Sequence, residues 1–553
     1  MGTFGRWLDR DDLLDAEASP GAPLQLGFPR GWPATFKSSA ALKALVNRQL
    51  KGVRCRAIGV PPRGDDSETV LDVAASLSLH RDARRPAFVE LDELGVARLA
   101  DGHERWKWDH IEKADIGSER VLNTKWVYKF KYARDGTIDR YRARLCVVGT
   151  GHVVGVHYGS GVAPTVRSST FRYVLARAAR KRHVVHGLDF TQAFMQSELE
   201  KPALIRMPHG YGGERGLVVR CGRALYGLKA APKLFYNFAT DLFRSLGFVL
   251  CPSDACLLRR ARDNLVIAMH VDDVTCTCPS TEVFDNLVEE MRAAGAEFTI
   301  DKELTKAMGI DIDHGVDRAI RISQGSYIRA NILERFGFDN IKPSVTPFRK
   351  KTYHAPAVSE QHPVHELLGA VNWCSTQTRP DITYAVHRCA KLVSKPAFHF
   401  ELWERLKQIV AYLAGTLNDG ITFRAGDRDN WDRVTVFADS NFAAAYESRR
   451  STTGLVVAYN GSPILWSTKL QSCASMANET VSILPAQSTG EAELNALQSG
   501  TKEAIGMRAL QLFVDDYVPD SEPSWRGPIP VWARKEVASL AEHTEAAADG
   551  GPN

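Results

Sequence analysis

Leu-Val-Ile-Ala-Met-His-Val-Asp-Asp-Val, at residues 265–274, is the stretch of sequence that decides the fold. Its apolar run is typical of a strand in a buried sheet, where the adjacent carboxylates of Asp272 and Asp273 are out of place. Two buried carboxylates side by side are costly unless another group neutralises them. A divalent cation does so, and carboxylate oxygens are the hard ligands that suit Mg²⁺. The stretch therefore predicts a strand that leads into a metal site.

A third acidic residue, Asp189, occurs earlier, in the run His-Gly-Leu-Asp-Phe-Thr-Gln-Ala-Phe at residues 186–194. Three carboxylates that converge from two strands form the layout used for two-metal phosphoryl transfer, and this predicts nucleic acid polymerisation. Taken singly, each motif has an alternative explanation. Asp189 alone suits the end of a strand, and Asp272-Asp273 alone suits a hairpin turn. Because both motifs occur in one chain, the metal site is favoured.

The composition is that of an ordinary globular protein with several domains. A chain of 553 residues is too long for one hydrophobic core, so roughly two to four domains are expected. We find no apolar run of transmembrane length, and the polar first ten residues do not resemble a signal peptide, so no membrane role is expected. The ten cysteines are scattered without a Cys-x-x-Cys pair, which favours reduced intracellular thiols over disulfides.

The net charge of +5 is small for this length, but its distribution is uneven. Between Lys125 and Thr150 there are seven basic residues and only two acidic residues. Such a patch is typical of a phosphate-binding surface, and it is equally typical of a solvated hairpin face. The composition of this segment alone leaves both interpretations open.

The order of the predicted elements is typical of an α+β protein rather than of a repeated βαβ unit. Asp135-Gly136 predicts a hairpin between strands at residues 125–132 and 141–148. Ser168 and Ser169 are candidate caps of a following helix. Later predictions are helices from Pro232 to Gly247, near 282–294 and at 326–336; a helical region at 359–414, broken at 379–381; strands at 434–437, 454–459, 463–467 and 528–532; and a helix from Ser488.

Several motifs occur in a fixed order between about residue 123 and residue 497. Together they resemble the reverse transcriptase of copia-type LTR retrotransposons. The most specific string is Leu225-Tyr226-Gly227-Leu228-Lys229, between the Asp189 motif and Val271-Asp272-Asp273. The other strings are Lys125-Trp126-Val127-Tyr128-Lys129, Arg140-Tyr141-Arg142-Ala143-Arg144-Leu145, Ala163-Pro164-Thr165-Val166-Arg167, Arg379-Pro380-Asp381-Ile382, Ala438-Asp439, Arg450-Ser451-Thr452-Thr453-Gly454 and Glu491-Ala492-Glu493.

The resemblance implies a right-hand polymerase of fingers, palm and thumb, followed by an RNase H-like α/β domain. On this basis residues 120–350 are expected to form the fingers, palm and thumb, and 351–430 a helical connection. Residues 431–540 would form an incomplete RNase H-like domain. Residues 1–115 are loop-rich and stay unassigned.

The resemblance also implies a catalytic set and its ligands. Asp189 and Asp272 would hold two Mg²⁺ ions, with Mn²⁺ as the alternative, and Asp273 would support them. The backbone carbonyl of Phe190 would be a further ligand. The implied partners are an RNA template, a DNA primer, the RNA–DNA hybrid and dNTPs, together with other parts of a retroelement polyprotein.

Nucleotide contacts are implied at two places. Arg142 and Arg144, on one face of a strand, would clamp the triphosphate, since arginine offers paired donors to phosphate. The ring of Phe194 would exclude a ribose 2′-hydroxyl, although a plain core phenylalanine is the alternative. Below the nucleotide or template base we expect three residues of the most specific string: Tyr226, Gly227 and Lys229.

The chain departs from the family pattern at several positions. Ala230 stands where glutamine is usual, and His270 replaces the usual tyrosine. In the last domain, Asp439 and Glu491 match two metal carboxylates, but Arg534 occupies the place of a later acidic ligand. A cation there inverts the local charge, so RNA hydrolysis is expected to be weak or absent.

Three functions are therefore compared. The leading hypothesis is an RNA-directed DNA polymerase, because the three aspartates are intact. The second is a catalytically decayed retroelement fragment that folds and at most binds nucleic acid, as the departures from the pattern suggest. The third, a metal-dependent nuclease alone, fits less well because an RNase H carboxylate is lost. The expected location is the cytoplasm, including virus-like particles, with the nucleus as the alternative.

Overall fold

The computed structural model describes residues 120–132, 138–151, 161–207, 218–349, 362–425, 434–443, 450–471, 486 and 488–515, and a few short strands outside these ranges. Its strands are β1 Glu90–Leu91, β2 Val96–Arg98, β3 Glu104–Lys107, β4 Asp109–Ile111, β5 Leu122–Tyr132, β6 Ile138–Val147, β7 Val184–Phe190, β8 Glu198–Arg206, β9 Val218–Arg223, β10 Val249–Leu250, β11 Leu257–Arg260, β12 Leu265–His270, β13 Asp273–Cys278, β14 Phe298–Asp301, β15 Lys306–Ala307, β16 Ile310–His314, β17 Ile320–Ser323, β18 Gly420–Phe423, β19 Val434–Asn441, β20 Thr452–Tyr459, β21 Ser462–Leu470 and β22 Val531–Trp532.

The described helices are α1 Ser168–Lys181, α2 Ala231–Ser245, α3 Thr281–Ala293, α4 Gly325–Ile328, α5 Val364–Gln377, α6 Thr383–Ala390, α7 His399–Gly415 and α8 Thr489–Val514. Mixed sheets and helices in this order confirm the α+β class. None of the described helices is long and apolar enough to cross a membrane.

The chain forms two compact units, each with its own sheets. The first unit comprises Met1–Ala163 and Gln192–Phe235, and the second comprises Pro164–Thr191 and Tyr236–Asn553. The predicted division at residues 1–115, 120–350, 351–430 and 431–540 follows other boundaries and stays a prediction.

In the first unit, a five-stranded sheet has the order β4-β9-β8-β5-β6. Strands β5 and β6 pair antiparallel over most of their length, as predicted, and the turn predicted at Asp135-Gly136 lies outside the described residues. Apolar residues of this sheet and of the segment after β9 form one buried cluster, which includes Leu122, Val147, Ile205, Val219, Leu225 and Leu228.

A close backbone approach joins β6 to the segment after β9. The N–H of Val147 donates to the carbonyl oxygen of Tyr226 at 2.7 Å. The next residue, Gly227, has a φ of +92°, and a Cβ there would lie 2.0 Å from the Val147 oxygen. Glycine is therefore required at position 227 by backbone packing, independently of any ligand contact.

In the second unit, a six-stranded sheet has the order β10-β11-β12-β13-β7-β14, with all neighbours antiparallel. Residues 265–269 of β12 are all buried, as their apolar run predicts. Helix α1 packs against β12 and β13, and α3 packs against β13.

The predicted cap of α1 is wrong. The helix begins at Ser168, its N-cap is Arg167, and no side chain caps it. Instead, the backbone N–H of Arg167 donates to Oδ2 of Asp254 at 3.1 Å, so a distant carboxylate takes part at the helix start. The predicted helix from Pro232 to Gly247 agrees better with α2, which is followed by Gly247 with a φ of +86°.

The predicted helix at 326–336 is only partly correct, because a π-helical segment, Arg329–Glu334, follows the short α4. The break at 379–381 is confirmed by a 3₁₀ turn, Pro380–Ile382, between α5 and α6. Helices α5, α6 and α7 share a buried core that includes Leu367, Val371, Ile382, Val386, Leu406 and Val410.

A four-stranded sheet, β21-β20-β19-β22, follows in the second unit. It contains the four predicted strands, and β22 runs parallel to β19. Helix α8 packs on β19 and β20, and Ser488 caps it by accepting the N–H of Glu491 at 3.1 Å.

A buried arginine on α1 joins three parts of the second unit. Arg172 donates from Nε to the carbonyl of Ile464 at 2.7 Å, and from Nη1 to the carbonyls of Thr376 and Gln377 at 3.0 and 2.9 Å. Its guanidinium also lies 4.1 Å from the ring centroid of Trp466. Burial lowers the pKa of Arg172 to about 9, which still leaves the group charged at neutral pH.

Arg172→Ala is expected to lower the free energy of unfolding by about 3 kcal/mol, because three buried carbonyls lose their donor. Urea unfolding followed by circular dichroism measures this change. The matched control is Arg292→Ala, an exposed arginine paired with Glu289, where a change of under about 0.5 kcal/mol is expected. Equal losses in the two variants would contradict the proposed role of Arg172.

Candidate functional site

The acidic doublet lies at the tip of a tight hairpin. His270 ends β12 and pairs with Asp273, which begins β13, so that only Val271 and Asp272 form the turn. Val271 has a φ of +57°, which is unusual for a β-branched residue and is normally supplied by glycine in such turns. Strand β12 therefore ends at His270, with one residue between it and Asp272, and the backbone at the doublet is strained.

Asp189 lies directly opposite Asp273 on the neighbouring strand β7. The N–H of Phe190 donates to the carbonyl of Asp272 at 3.1 Å, so residues 190 and 272 form a hydrogen-bonded pair. Pairs alternate in antiparallel sheets, so Asp189 and Asp273 form a non-hydrogen-bonded pair, for which a Cα separation of about 4.5 Å is typical. Their side chains therefore leave the sheet from the same face, in the closest cross-strand arrangement.

The pairing continues into a row across four strands. Asp273 pairs with His270 on β12, and Asp189 pairs with Thr299 on β14. Asp189, Asp273 and Thr299 are exposed, whereas Asp272 and His270 are half-buried. The expectation of buried carboxylates is therefore wrong: the strand is buried, and its acidic end emerges into solvent.

Two like charges directly opposite each other on adjacent strands destabilise a sheet. A cation beside Asp189 and Asp273 would remove this repulsion, and Asp272 is the adjacent third carboxylate. Burial lowers the pKa of His270, and the charge of Asp272 opposes that shift. Within the described part of the chain, however, no three His, Cys, Asp or Glu side chains are grouped closely enough to form a ready metal site.

Phe190 has a separate structural role. Its side chain is buried and lies at ring-centroid distances of 6.3 Å from Phe243 and 6.4 Å from Phe298. These contacts hold the end of β7 against α2 and β14. The predicted metal contact of the Phe190 carbonyl stays a prediction.

In the first unit, three predicted nucleotide-binding residues form one cluster. The ring centroids of Phe194 and Tyr226 are 4.8 Å apart, and the Arg144 guanidinium lies 4.7 Å from the Tyr226 centroid. Phe194 also lies 6.2 Å from Phe235, and its side chain is half-buried. Arginine over an aromatic face is an attractive cation–π arrangement. The structure thus brings Arg144, Phe194 and Tyr226 together, although their contacts to a nucleotide stay predictions.

The other predicted nucleotide-binding residues are not part of this cluster of Arg144, Phe194 and Tyr226. Gly227 and Lys229 are exposed, and the role of Gly227 in backbone packing was missed by the sequence analysis. Arg142 lies on β6 in register with Lys129, which places it two residues from Arg144 on the same strand. Ala230 is buried, so the departure from the usual glutamine places a small apolar side chain in the interior.

A second acidic pair lies between β19 and α8. Asp439 is exposed on β19, and the structure brings Glu493, rather than a residue that sequence analysis had chosen, close to it. Burial raises the pKa of Glu493, and the charge of Asp439 raises it further, while Ser440 acts in the opposite direction. Among the described residues, neither carboxylate oxygen of Glu493 forms a hydrogen bond of normal geometry.

The predicted residue Glu491 lies at the exposed start of α8, where its N–H donates to Oγ of the cap Ser488 at 3.1 Å. The signal that favours Glu493 was present in the sequence. Small residues recur at helical spacing on the buried face of α8, and Glu493 lies on that face between Ala492 and Ala496. The role of Glu491 stays a prediction, and Arg534 lies outside the described residues.

Comparison with known proteins agrees with the ordered motifs. The family described as "Reverse transcriptase (RNA-dependent DNA polymerase)" matches residues 108–350. The retrovirus-related Pol polyprotein from transposon TNT 1-94 of Nicotiana tabacum is 28% identical over 392 residues, covering 68% of this chain and 29% of the relative. The corresponding polyprotein from transposon RE1 of Arabidopsis thaliana is 29% identical, covering 64% of this chain and 24% of the relative.

Among solved structures, the foamy viral protease-reverse transcriptase in complex with an RNA/DNA hybrid matches at 16% identity with a TM-score of 0.38. The match covers 72% of this chain and 46% of that chain. The present chain spans only 24–29% of the length of the two curated relatives. Residues 108–350 thus match the reverse transcriptase family, and the chain is similar to the retrovirus-related Pol polyproteins of these two plant transposons.

Proposed function

We propose that this chain is an RNA-directed DNA polymerase, which extends a DNA primer on an RNA template with dNTPs. The observation that carries the proposal is the direct opposition of Asp189 and Asp273 beside the strained Val271-Asp272 turn. Backbone strain and close like charges are kept at functional sites when another group compensates for them. The match of residues 108–350 to the reverse transcriptase family supports the same activity.

The carboxylates of Asp189, Asp272 and Asp273 fit divalent cations, because all three offer oxygen ligands at one end of the sheet, with Asp189 and Asp273 exposed and Asp272 half-buried. Two Mg²⁺ ions bound there would supply charge stabilisation for the attacking and leaving oxygens. The protein contributes the positions: β7 holds Asp189, and the two-residue turn places Asp272 beside Asp273. Rigid strands keep these oxygens in place before substrate arrives.

In the first unit, the cluster of Arg144, Phe194 and Tyr226 is proposed to bind the nucleotide. Arg144 carries a buried Nε without a hydrogen-bond partner among the described residues, so it retains a donor for a phosphate oxygen. The cation–π contact with Tyr226 orients this guanidinium. Phe194, packed against Tyr226, would limit space at the sugar and favour deoxynucleotides.

The alternative, a decayed fragment that at most binds nucleic acid, predicts the same fold without synthesis. The intact carboxylate row favours activity, whereas Ala230 and the replacement at His270 favour decay. The proposed setting for the active protein is intracellular, together with other parts of the polyprotein. Activity and metal binding distinguish the two alternatives.

Asp272→Asn is expected to lower primer extension on poly(rA)–oligo(dT) with Mg²⁺ by at least about a hundredfold, because a charge-stabilising ligand is lost. The control is Asp339→Asn, an exposed aspartate in a turn, which should retain wild-type synthesis. A folded wild-type protein that makes no DNA would favour the decayed fragment. Equal activity of both variants would exclude the proposed role of Asp272.

Metal binding has a test that needs no catalysis. Without divalent ions, Asp273→Asn should leave stability unchanged or raise it by up to about 1 kcal/mol, because repulsion with Asp189 is relieved. Adding Mg²⁺ should raise the melting temperature of the wild type more than that of Asp189→Asn or Asp273→Asn. Differential scanning fluorimetry, with Asp339→Asn as control, measures both effects. A Mg²⁺ response that is identical in all four proteins would rule out metal binding by this row.

A second proposed function concerns the acidic pair of Asp439 and Glu493. The buried Glu493 oxygens, which lack hydrogen bonds of normal geometry among the described residues, fit a divalent cation shared with Asp439. We propose an RNase H-like unit whose hydrolysis of RNA is weak or absent, because Arg534 occupies the place of a later acidic ligand in the family pattern. Robust removal of RNA from an RNA–DNA hybrid that depends on Asp439 would refute the proposal that this activity is weak or absent.

Glu493 should also give a pH signature. Because its pKa is raised on folding, the folded state binds more protons than the unfolded state above the ordinary pKa of glutamate. The metal-free stability that Glu493 contributes should therefore be greatest in acid and fall as pH rises through the raised pKa. Glu493→Gln should be more stable than the wild type at neutral pH, with the difference vanishing in acid. Chemical unfolding from pH 4 to pH 8 tests this, with Glu491→Gln at an exposed position as the control. A pH-dependent difference in stability from the wild type that appears in Glu491→Gln but not in Glu493→Gln would contradict the prediction.

A further inference from the structure

A polar cavity of about 230 Å³ lies in the second unit, away from both acidic sites. It is lined by residues of α1, of the hairpin between β11 and β12, and of the end of α8. Its charged lining consists of Arg177, Lys181, Arg259, Arg260 and Asp515. Four cationic side chains and one carboxylate around one cavity indicate an anion site with a single acidic side chain.

Arg177 is the central donor of this cavity. Its side chain is 2% exposed, and Nε donates to Oδ1 of Asp515 at 2.8 Å. Nη2 donates to Oδ1 of Asn264 at 2.9 Å, but Nη1 is buried without a hydrogen-bond partner among the described residues. Leaving a buried N–H donor without an acceptor is unfavourable. An anion bound in the cavity would supply that acceptor to the guanidinium.

The other cationic side chains of the cavity differ in the contacts that they make within the protein. Arg260 is paired with Asp263 and Glu290, so its charge is balanced within the protein. Arg259 lies 5.5 Å from the ring centroid of Phe513, which places its guanidinium next to the cavity. Lys181 is exposed and makes no ion pair with any residue that the structure describes. Lys181 is therefore the flexible cation available at the rim.

Asp515 restricts which anion can bind. Its Oδ1 accepts from Arg177, while its Oδ2 is buried and accepts no hydrogen bond from a described residue. A fully deprotonated oxyanion such as sulfate would meet repulsion at Oδ2. A phosphate that keeps one P–OH group can donate to Oδ2 and accept from Arg177 and Lys181 at the same time.

We propose that this cavity binds a phosphate group that retains one P–OH, with Arg177 and Lys181 as donors and Asp515 as acceptor. The cavity is smaller than the roughly 300 Å³ typical of pockets for larger ligands, which favours inorganic phosphate over a whole nucleotide. The terminal phosphate of a nucleic acid strand has the same chemistry and is the other source. The site does not depend on polymerase activity.

The test is calorimetric titration of the full chain at neutral pH with sodium phosphate and with sodium sulfate at equal ionic strength. Saturable binding of phosphate, with sulfate at least roughly tenfold weaker, is expected because only phosphate donates to Asp515. Lys181→Gln should weaken phosphate binding roughly tenfold. The control Arg182→Gln removes a neighbouring exposed charge that does not line the cavity and should bind as the wild type does.

The two phosphate sources are separated by a 5′-phosphorylated oligonucleotide and its 5′-hydroxyl form at pH 6. Tighter binding of the 5′-phosphorylated form than of the 5′-hydroxyl form, abolished in Lys181→Gln, would identify strand ends as ligands. Binding of inorganic phosphate alone would identify the free anion. Repeating the titration with Asp272→Asn separates this site from the proposed polymerase function. Absence of saturable binding, equal affinity for sulfate, or an unchanged affinity in Lys181→Gln would each overturn the proposal and leave a cavity that holds water only.

Discussion

The antiparallel register of β7 and β13 is the constraint on which the acidic site depends. Residues alternate between faces along a strand, so a slip of one residue would move Asp189 to the opposite face from Asp273. The register is held by the buried residues of both strands and by a close approach at Gly187, where a Cβ would lie 2.7 Å from Leu304. The apolar interior of the sheet thus positions charges that are themselves exposed.

Much of this arrangement could be predicted from the sequence, because it follows from local patterns. The apolar run of β12, the hairpin of β5 and β6, and the helix that ends before Gly247 all depend on neighbouring residues. The structure also places Asp189 and the Asp272-Asp273 doublet at the ends of adjacent strands, as expected, while their shared metal site stays a prediction. Their exposure was not predicted, since an apolar run shows that a strand is buried but not where burial stops.

The features that sequence analysis missed depend on residues far apart in the chain. Asp254, rather than Ser168, contacts the start of α1, although 87 residues separate it from Arg167. Arg172 donates to carbonyls more than 200 residues away, and no local pattern indicates these partners. Glu493 is an intermediate case, because helical periodicity marks its buried face but only the packing of α8 on β19 brings it to Asp439.

The charges of the six-stranded sheet are separated along β12. Leu265, at its start, lines the cationic cavity, and Asp272 follows its last residue. At about 3.3 Å per residue the two places are roughly 20 Å apart, beyond the Debye length of about 8 Å at physiological salt. A phosphate held near Arg177 would therefore do little to neutralise cations held by the carboxylates. The same strand can support an acidic site and a cationic site whose ligands bind independently.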